Sequence, residues 1–174
     1  MERFTFKDRP NNQRMQVTVD QYAKSSNSEQ ALLFLDLQWT YREMQKAYDQ
    51  VLAQYGLSES KFIILMFLNS AEENSLLPSE LAEKLGASRA TITKLLNSME
   101  KEQWVKKIPS LIDKRAVQIQ MTDQGKEVLE AFLPDNFEFV NTLTEELSEE
   151  EIDQFFYLLN KIKQGTTKLT KEME

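Results

Sequence analysis

Apolar residues recur at helical spacing through most of the chain, and the start and stop signals around them divide it into segments. Ser26 with Glu29 has capping-box spacing and predicts a helix over residues 29–55, where Leu33, Leu37, Thr40, Met44, Tyr48 and Leu52 recur at helical spacing and Gly56 closes the segment. Ser58 caps a second helix through residues 62–68, which is apolar nearly all round and therefore expected at the centre of the core. Pro78 suits the first turn of a short third helix ending at Gly86, and Ser88 caps a fourth. Thr122 caps a fifth that runs past Asp123 towards Pro134, where a kink is expected. Ser148 with Glu151 repeats the capping-box spacing and opens a last helix carrying Ile152, Phe155, Phe156, Leu159 and Ile162.

Between the fourth and fifth helices the period shortens. Residues 104–108 and 116–121 predict two strands joined by a charged tip, a hairpin that must lean on neighbouring helices to be stable. The turn ahead of it is more specific. Ala82 is small enough for close helix approach, Gly86 permits a sharp turn, and Ile92 packs back between the helices, which is helix-turn-helix spacing. Burying Ile92, Leu95, Leu96 and Met99 turns Ala90, Lys94, Asn97 and Lys101 outward, flanked by Thr91, Thr93 and Ser98. An isolated helix of this kind is ordinarily a solvated surface element. Turn spacing before it and a hairpin after it favour a helix that reads base edges with amides and hydroxyls and contacts phosphates with lysines.

Charge sharpens this picture. The 174-residue chain has a net charge of −7, which by itself opposes nucleic-acid binding. Residues 84–115, however, hold eight basic side chains against three acidic ones, a net +5, so the remainder carries −12. The chain has no Cys and no His, which removes disulfides, thiolate nucleophiles, zinc-thiolate sites and the commonest general base. No catalytic residue, metal site or cofactor is expected. Ser58 and Lys61 have the spacing of an acyl-transfer Ser-x-x-Lys, but no Lys-Thr-Gly companion exists and a helix cap explains Ser58. The carboxylates Glu145, Glu146, Glu149, Glu150, Glu151 and Asp153 lie where helix N-termini favour negative charge and lack calcium-loop spacing. Four isolated glycines cannot build a phosphate loop. A charged N-terminus without an apolar run and a longest apolar run of seven residues predict neither a signal peptide nor a membrane span, hence a soluble cytoplasmic protein.

The run Leu81-Ala82-Glu83-Lys84-Leu85-Gly86-Ala87-Ser88-Arg89-Ala90-Thr91-Ile92-Thr93-Lys94-Leu95-Leu96, followed by Met99-Glu100-Lys101, Asp113-Lys114-Arg115-Ala116 and Met121-Thr122-Asp123-Gln124-Gly125-Lys126, resembles the winged helix-turn-helix regulators of the MarR family. The likeness extends over residues 29–162. It implies a mostly α fold with a two-stranded β wing and a helical dimerisation region. Residues 29–56 and 123–174 would form that region, and residues 57–122 the DNA-binding lobe. Residues 1–28 would be an N-terminal extension: a frayed or disordered arm, a dimer-crossing segment or a DNA-contacting tail. The implied partners are a second copy of the chain and a double-stranded, pseudo-palindromic operator, read by Ser88, Arg89, Ala90, Thr91, Thr93, Lys94, Asn97 and Lys101, with Asp113, Lys114 and Arg115 at the wing.

The resemblance also implies release from DNA by a small aromatic or lipophilic effector held between the dimerisation helices and the winged lobe. Trp39, Arg42, Phe62 and Met66 have suitable chemistry, although core or dimer packing is their commoner use. Absent Cys and His exclude the family's thiol switch and oppose its zinc switch. Leu111 and Ile112 depart from the polar wing tips of the family: they pack on the wing base, touch DNA sugars, or mark a winged module that binds protein without reading DNA sequence.

Overall fold

The computed structural model describes residues 8–23, 27–109 and 117–172, which fall into two compact units meeting at Glu59 and Ser60. The first unit holds α1 (Asn12–Tyr22) and α2 (Ser28–Gln54). Within the N-terminal extension, residues 12–22 form a helix. Asn11 caps α1 by accepting from Arg14 N–H at 2.9 Å. One apolar side chain of α1, Val19, is buried, so docking depends on polar contacts. The buried Ser28 hydroxyl lies 3.0 Å from Asn12 Oδ1 and 2.8 Å from Gln16 Oε1 and donates its one proton to either. The predicted cap of α2 also shifts. Asn27, not Ser26, accepts from the N–H groups of Glu29 (2.7 Å) and Gln30 (3.4 Å), while Ser26 lies outside the described residues. At the other end Gly56 takes a left-handed φ of 68° and ends α2 where its sequence predicts. Within this unit burial raises the Tyr48 phenol above its usual pKa, and the Glu59 carboxylate adds to the shift.

The second unit is built around α3 (Glu59–Asn69), whose Ile64, Leu65 and Leu68 are fully buried, as an all-round apolar helix requires. A 3-10 turn (Glu72–Asn74) leads to β1 (Ser75–Leu76), then α4 (Pro78–Leu85), α5 (Arg89–Lys101), β2 (Val105–Pro109), β3 (Val117–Met121), α6 (Asp123–Thr144) and α7 (Glu149–Glu172). Leu81, Ile92, Leu96, Met99, Ile119, Leu129 and Phe132 complete the core, with Phe62 edge-to-face on Phe132 at 4.9 Å.

The sheet has three antiparallel strands in the order β1-β3-β2, one more than the hairpin expected. In the register, Leu76 faces Ile119 and Lys107 faces Ile119 from the other side. β1 covers the second edge of β3, and Gln120 Nε2 donates to the Glu73 carbonyl at 3.0 Å. Trp104 stays outside the strand and is buried.

α6 continues through Pro134 as one element to Thr144. Pro134 removes a backbone bond to Glu130, but both residues are exposed, so water can satisfy the freed carbonyl. α7 opens with the reciprocal box foreseen, Ser148 N–H donating to Glu151 at 2.9 Å and Glu151 N–H to Ser148 Oγ at 3.3 Å.

Candidate nucleic-acid interface

The turn between α4 and α5 is made by the residues that announce it. Gly86 is left-handed with φ 59°, a conformation that costs a side chain but not glycine, and its neighbour Ala87 returns N–H to the Ala82 carbonyl at 3.0 Å. Ala82 and Ile92 are buried, closing the two helices on each other. At the start of α4 Glu80 accepts from Leu77 N–H at 2.7 Å, one half of a capping box, since leucine has no oxygen to complete it. Ser88 caps α5, accepting from Thr91 N–H at 3.2 Å.

With Ile92, Leu96 and Met99 buried and Leu95 half-buried, α5 presents Ser88, Arg89, Ala90, Thr91, Thr93, Lys94, Asn97 and Lys101 to solvent. Eight of the eleven residues expected at a DNA surface thus share one exposed helix face and its cap. Their hydroxyls are not equally available. Ser88 and Thr91 bond each other at 2.9 Å, and Thr93 donates to the Arg89 carbonyl at 2.8 Å, leaving its lone pairs as acceptors. Arg89, Lys94 and Lys101 have no ion pair among the described residues. Asp113, Lys114 and Arg115, with Leu111 and Ile112, lie outside the described residues.

The structure gives two lysines contacts that their sequence context does not predict. Lys107 of β2 bonds Asn97 Oδ1 at 3.2 Å and Glu100 Oε2 at 2.6 Å, tying the strand to α5. Lys61, its side chain mostly buried, reaches both oxygens of Glu102 at 2.8 and 2.9 Å and sits 5.0 Å over the Trp104 ring. A shallow cleft of about 200 Å³ lies between α5 and the β2–β3 ribbon, with Thr93, Asn97 and Lys107 around Leu96, Val117 and Ile119.

Behind the ribbon, Thr122 joins three elements. Its hydroxyl donates to the Gln103 carbonyl at 2.5 Å and accepts from Gly125 N–H at 3.1 Å, and its N–H donates to the Trp104 carbonyl at 3.0 Å. Gly125 is needed for space: a Cβ there would overlap the Trp104 carbonyl oxygen.

Of the effector candidates, Trp39 and Arg42 belong to the first unit and Phe62 and Met66 to the second. Trp39 is covered by Arg9, 4.8 Å from its ring, and Phe62 packs on Phe132, so both have structural partners. No group of acidic side chains among the described residues is arranged to hold a metal ion.

A helix-turn-helix whose second helix is exposed, polar and basic, followed by an antiparallel ribbon, defines a winged-helix DNA-binding protein. A family model described as transcriptional regulator SarA/Rot matches residues 46–132. The HTH-type transcriptional repressor YetL of Bacillus subtilis (strain 168) is 39% identical over 127 residues, which is 73% of this chain and 76% of that protein. Transcriptional repressor MprA of Escherichia coli (strain K12) is 33% identical over 114 residues, 66% of this chain and 65% of that one. The S. aureus MepR–DNA complex matches with a TM-score of 0.65 at 26% identity, covering 74% of this chain and 94% of that one. Sco3205 of Streptomyces coelicolor, a MarR family regulator in complex with DNA, shares the fold with a TM-score of 0.72 at 21% identity, over 80% and 89% of the two chains. The protein belongs to the MarR family of transcriptional regulators, which are not enzymes.

Proposed function

We propose that this chain is a homodimeric, cytoplasmic transcriptional repressor that binds a pseudo-palindromic operator through α5 and is released by a small aromatic or lipophilic effector. The observation that carries DNA reading is the exposed face of α5, where Arg89, Lys94, Asn97 and Lys101 stand outward above a buried Ile92–Leu96–Met99 stripe. Dimerisation is supported by α7. None of its residues is buried, yet Phe155, Phe156, Tyr157 and Leu169 are 52–63% exposed, and Phe137 and Leu143 of α6 are 61% and 50% exposed. Apolar surface of this extent on two helices fits burial against a second copy. Residues 29–56 and 123–174 then make the dimerisation region, and residues 57–122 the reading lobe. Two α5 helices would enter successive major grooves about 34 Å apart.

Trp39, Arg42, Phe62 and Met66 are the effector contacts we assign, and an effector must favour one arrangement of the lobes over another to release DNA. Selection of bound fragments from sheared genomic DNA at moderate salt, with sedimentation of the free protein, tests the reading. Enrichment of an inverted repeat by a dimer is the expected result. A monomer, or a dimer enriching no sequence, would overturn it.

A further inference from the structure

Gln103 is the residue at which α5 gives way to the ribbon, and its backbone is unusual. Glu102 is the last residue of the helix cap, and the N–H groups of Gln103 and Trp104 return to the Glu100 and Met99 carbonyls at 3.0 and 2.9 Å, the paired closing bonds of a Schellman turn. Such a turn needs a left-handed residue, ordinarily glycine; here a glutamine supplies it with φ 61°. A side chain in that conformation persists only where the surrounding structure holds the turn. Thr122 holds the turn itself by donating its hydroxyl to the Gln103 carbonyl. Lys61 of α3 holds the residues on either side of it: its ammonium reaches the two Glu102 oxygens at 2.8 and 2.9 Å and lies 5.0 Å over the ring of the buried Trp104. Ser98, four residues back in α5, donates to the same carboxylate at 3.4 Å.

The end of α5 and the residue that enters β2 are therefore tied to one charged group that belongs to neither element. The Lys61 side chain is only 14% exposed and spends its donors on Glu102. A largely buried ion pair adds little stability over an apolar pair of similar size, and its best attested use is to fix one arrangement among several. Resting on α5 being the reading helix, we propose that Lys61 is a positioning residue for DNA recognition: by clamping Glu102 and Trp104 across the Gln103 turn, it fixes the direction in which the β2–β3 ribbon leaves α5. Helix and ribbon then engage one stretch of duplex together. Phosphate contacts set the register in which base edges are read, so a loosened turn keeps the attraction to any DNA and loses part of the extra affinity for the operator.

The test takes as operator the sequence that wild-type full-length chain enriches from a random duplex library. Its readout is the ratio of affinities for that duplex and for a scrambled duplex of equal length, measured for wild type, Lys61→Met, Glu102→Gln and the double variant. Partial unfolding lowers both affinities by the same fraction and cancels in the ratio, so lost stability alone does not move it. The two substitutions also change net charge in opposite directions. A pair that mattered only as charge would make Lys61→Met weaken, and Glu102→Gln strengthen, binding to both duplexes with the ratio unchanged. Positioning instead lowers the ratio in each single variant, by roughly tenfold for a residue that acts without touching the ligand. The double variant should lose no more than either single one, because the clamp is already open.

The proposal is overturned if either single variant keeps the wild-type ratio, or if the two losses add in the double variant. Should Lys61→Met fail to fold, Glu102→Gln decides alone: its ratio must fall despite the added positive charge, and an unchanged ratio overturns the proposal. If wild type enriches no sequence, the DNA-reading function itself falls and this proposal with it. An enriched operator with unchanged ratios removes the clamp and leaves that function standing.

Discussion

Gly125→Ala is expected to destabilise the protein even though the residue lies inside a helix. There, alanine for glycine ordinarily gains up to about 1 kcal/mol, because glycine has more backbone freedom to lose. The gain is outweighed by a clash. A Cβ on Gly125 would overlap the Trp104 carbonyl oxygen and lie 3.0 Å from its carbon and 3.1 Å from its Cα. These are backbone atoms, so no side-chain rotation relieves the overlap. Relief requires α6 to back away from the segment entering β2, and that movement stretches the Thr122 N–H bond to Trp104 (3.0 Å) and the Thr122 hydroxyl bond to Gln103 (2.5 Å).

Overpacking of about 1–3 kcal/mol and weakening of two hydrogen bonds at about 1 kcal/mol each, set against a propensity gain of up to about 1 kcal/mol, leave a net loss of about 2–4 kcal/mol. For a chain of this length that lowers Tm by roughly 5–10 °C. Urea and thermal unfolding followed by circular dichroism, at one fixed chain concentration because self-association shifts Tm, give the value. Gln124→Ala, one position earlier and exposed, is the control and should stay within about 0.5 kcal/mol of wild type. A Gly125→Ala protein as stable as wild type, or more so, would refute the steric argument.

Three further outcomes follow from other contacts. Glu102→Ala removes both bonds from Lys61, whose side chain is only 14% exposed, and should cost about 1–2 kcal/mol, between exposed and buried pairs; a double-mutant cycle with Lys61→Met isolates the coupling, and a coupling near zero would deny the pair a role. Lys94→Ala should flatten base preference in binding-site selection, whereas Arg115→Ala should weaken binding to all sequences and lower the salt slope by about one; an Arg115→Ala protein with wild-type affinity and salt dependence would remove the wing assignment. Because burial raises the Tyr48 phenol above its usual pKa of 10.0, the unfolded chain ionises first, so stability falls as pH rises from 10.0 through the folded value. Tyr48→Phe should flatten that decline in unfolding measured across the alkaline range, and an unchanged slope would contradict the shift.

The parts of the fold that were legible in the sequence are those specified by local chemistry. Ala82, Gly86, Ser88 and Ile92 fix the turn through size, left-handed backbone, a cap and a buried knob, all within eleven residues of chain. Ser148 with Glu151 and Thr122 with Gly125 are equally local. What was not legible depends on contacts distant in sequence. α1 has almost no apolar face, and Ser28 holds it through Asn12 and Gln16, partners that no helical period marks. β1 is two residues long and exists because β3 has an edge to cover. The shift from Ser26 to Asn27 has another cause: Asn27 with Gln30 satisfies the same spacing as Ser26 with Glu29, so sequence alone offers two caps for one helix.

The same distinction bears on charge. Counting residues 84–115 predicts a basic surface, but Glu100 and Glu102 lie on or beside α5 and would oppose a phosphate backbone if they faced it unpaired. Each is instead turned to a lysine from another element, Glu100 to Lys107 and Glu102 to Lys61. Arg89, Lys94 and Lys101 are left as cations without an ion pair among the described residues, on the face that the buried stripe turns outward. Lys107 and Lys61 are thus engaged by carboxylates, whereas Arg89, Lys94 and Lys101 of α5 and Lys106 of β2 stand exposed without an ion pair among the described residues. Removing Glu100 or Glu102 would not simply make the surface more basic. It would also release Lys107 or Lys61 from the contact that ties β2 or α3 to the end of α5, so a gain in non-specific attraction to DNA would come with a less rigid α5; if α5 reads the operator, sequence preference would fall as affinity for any DNA rises.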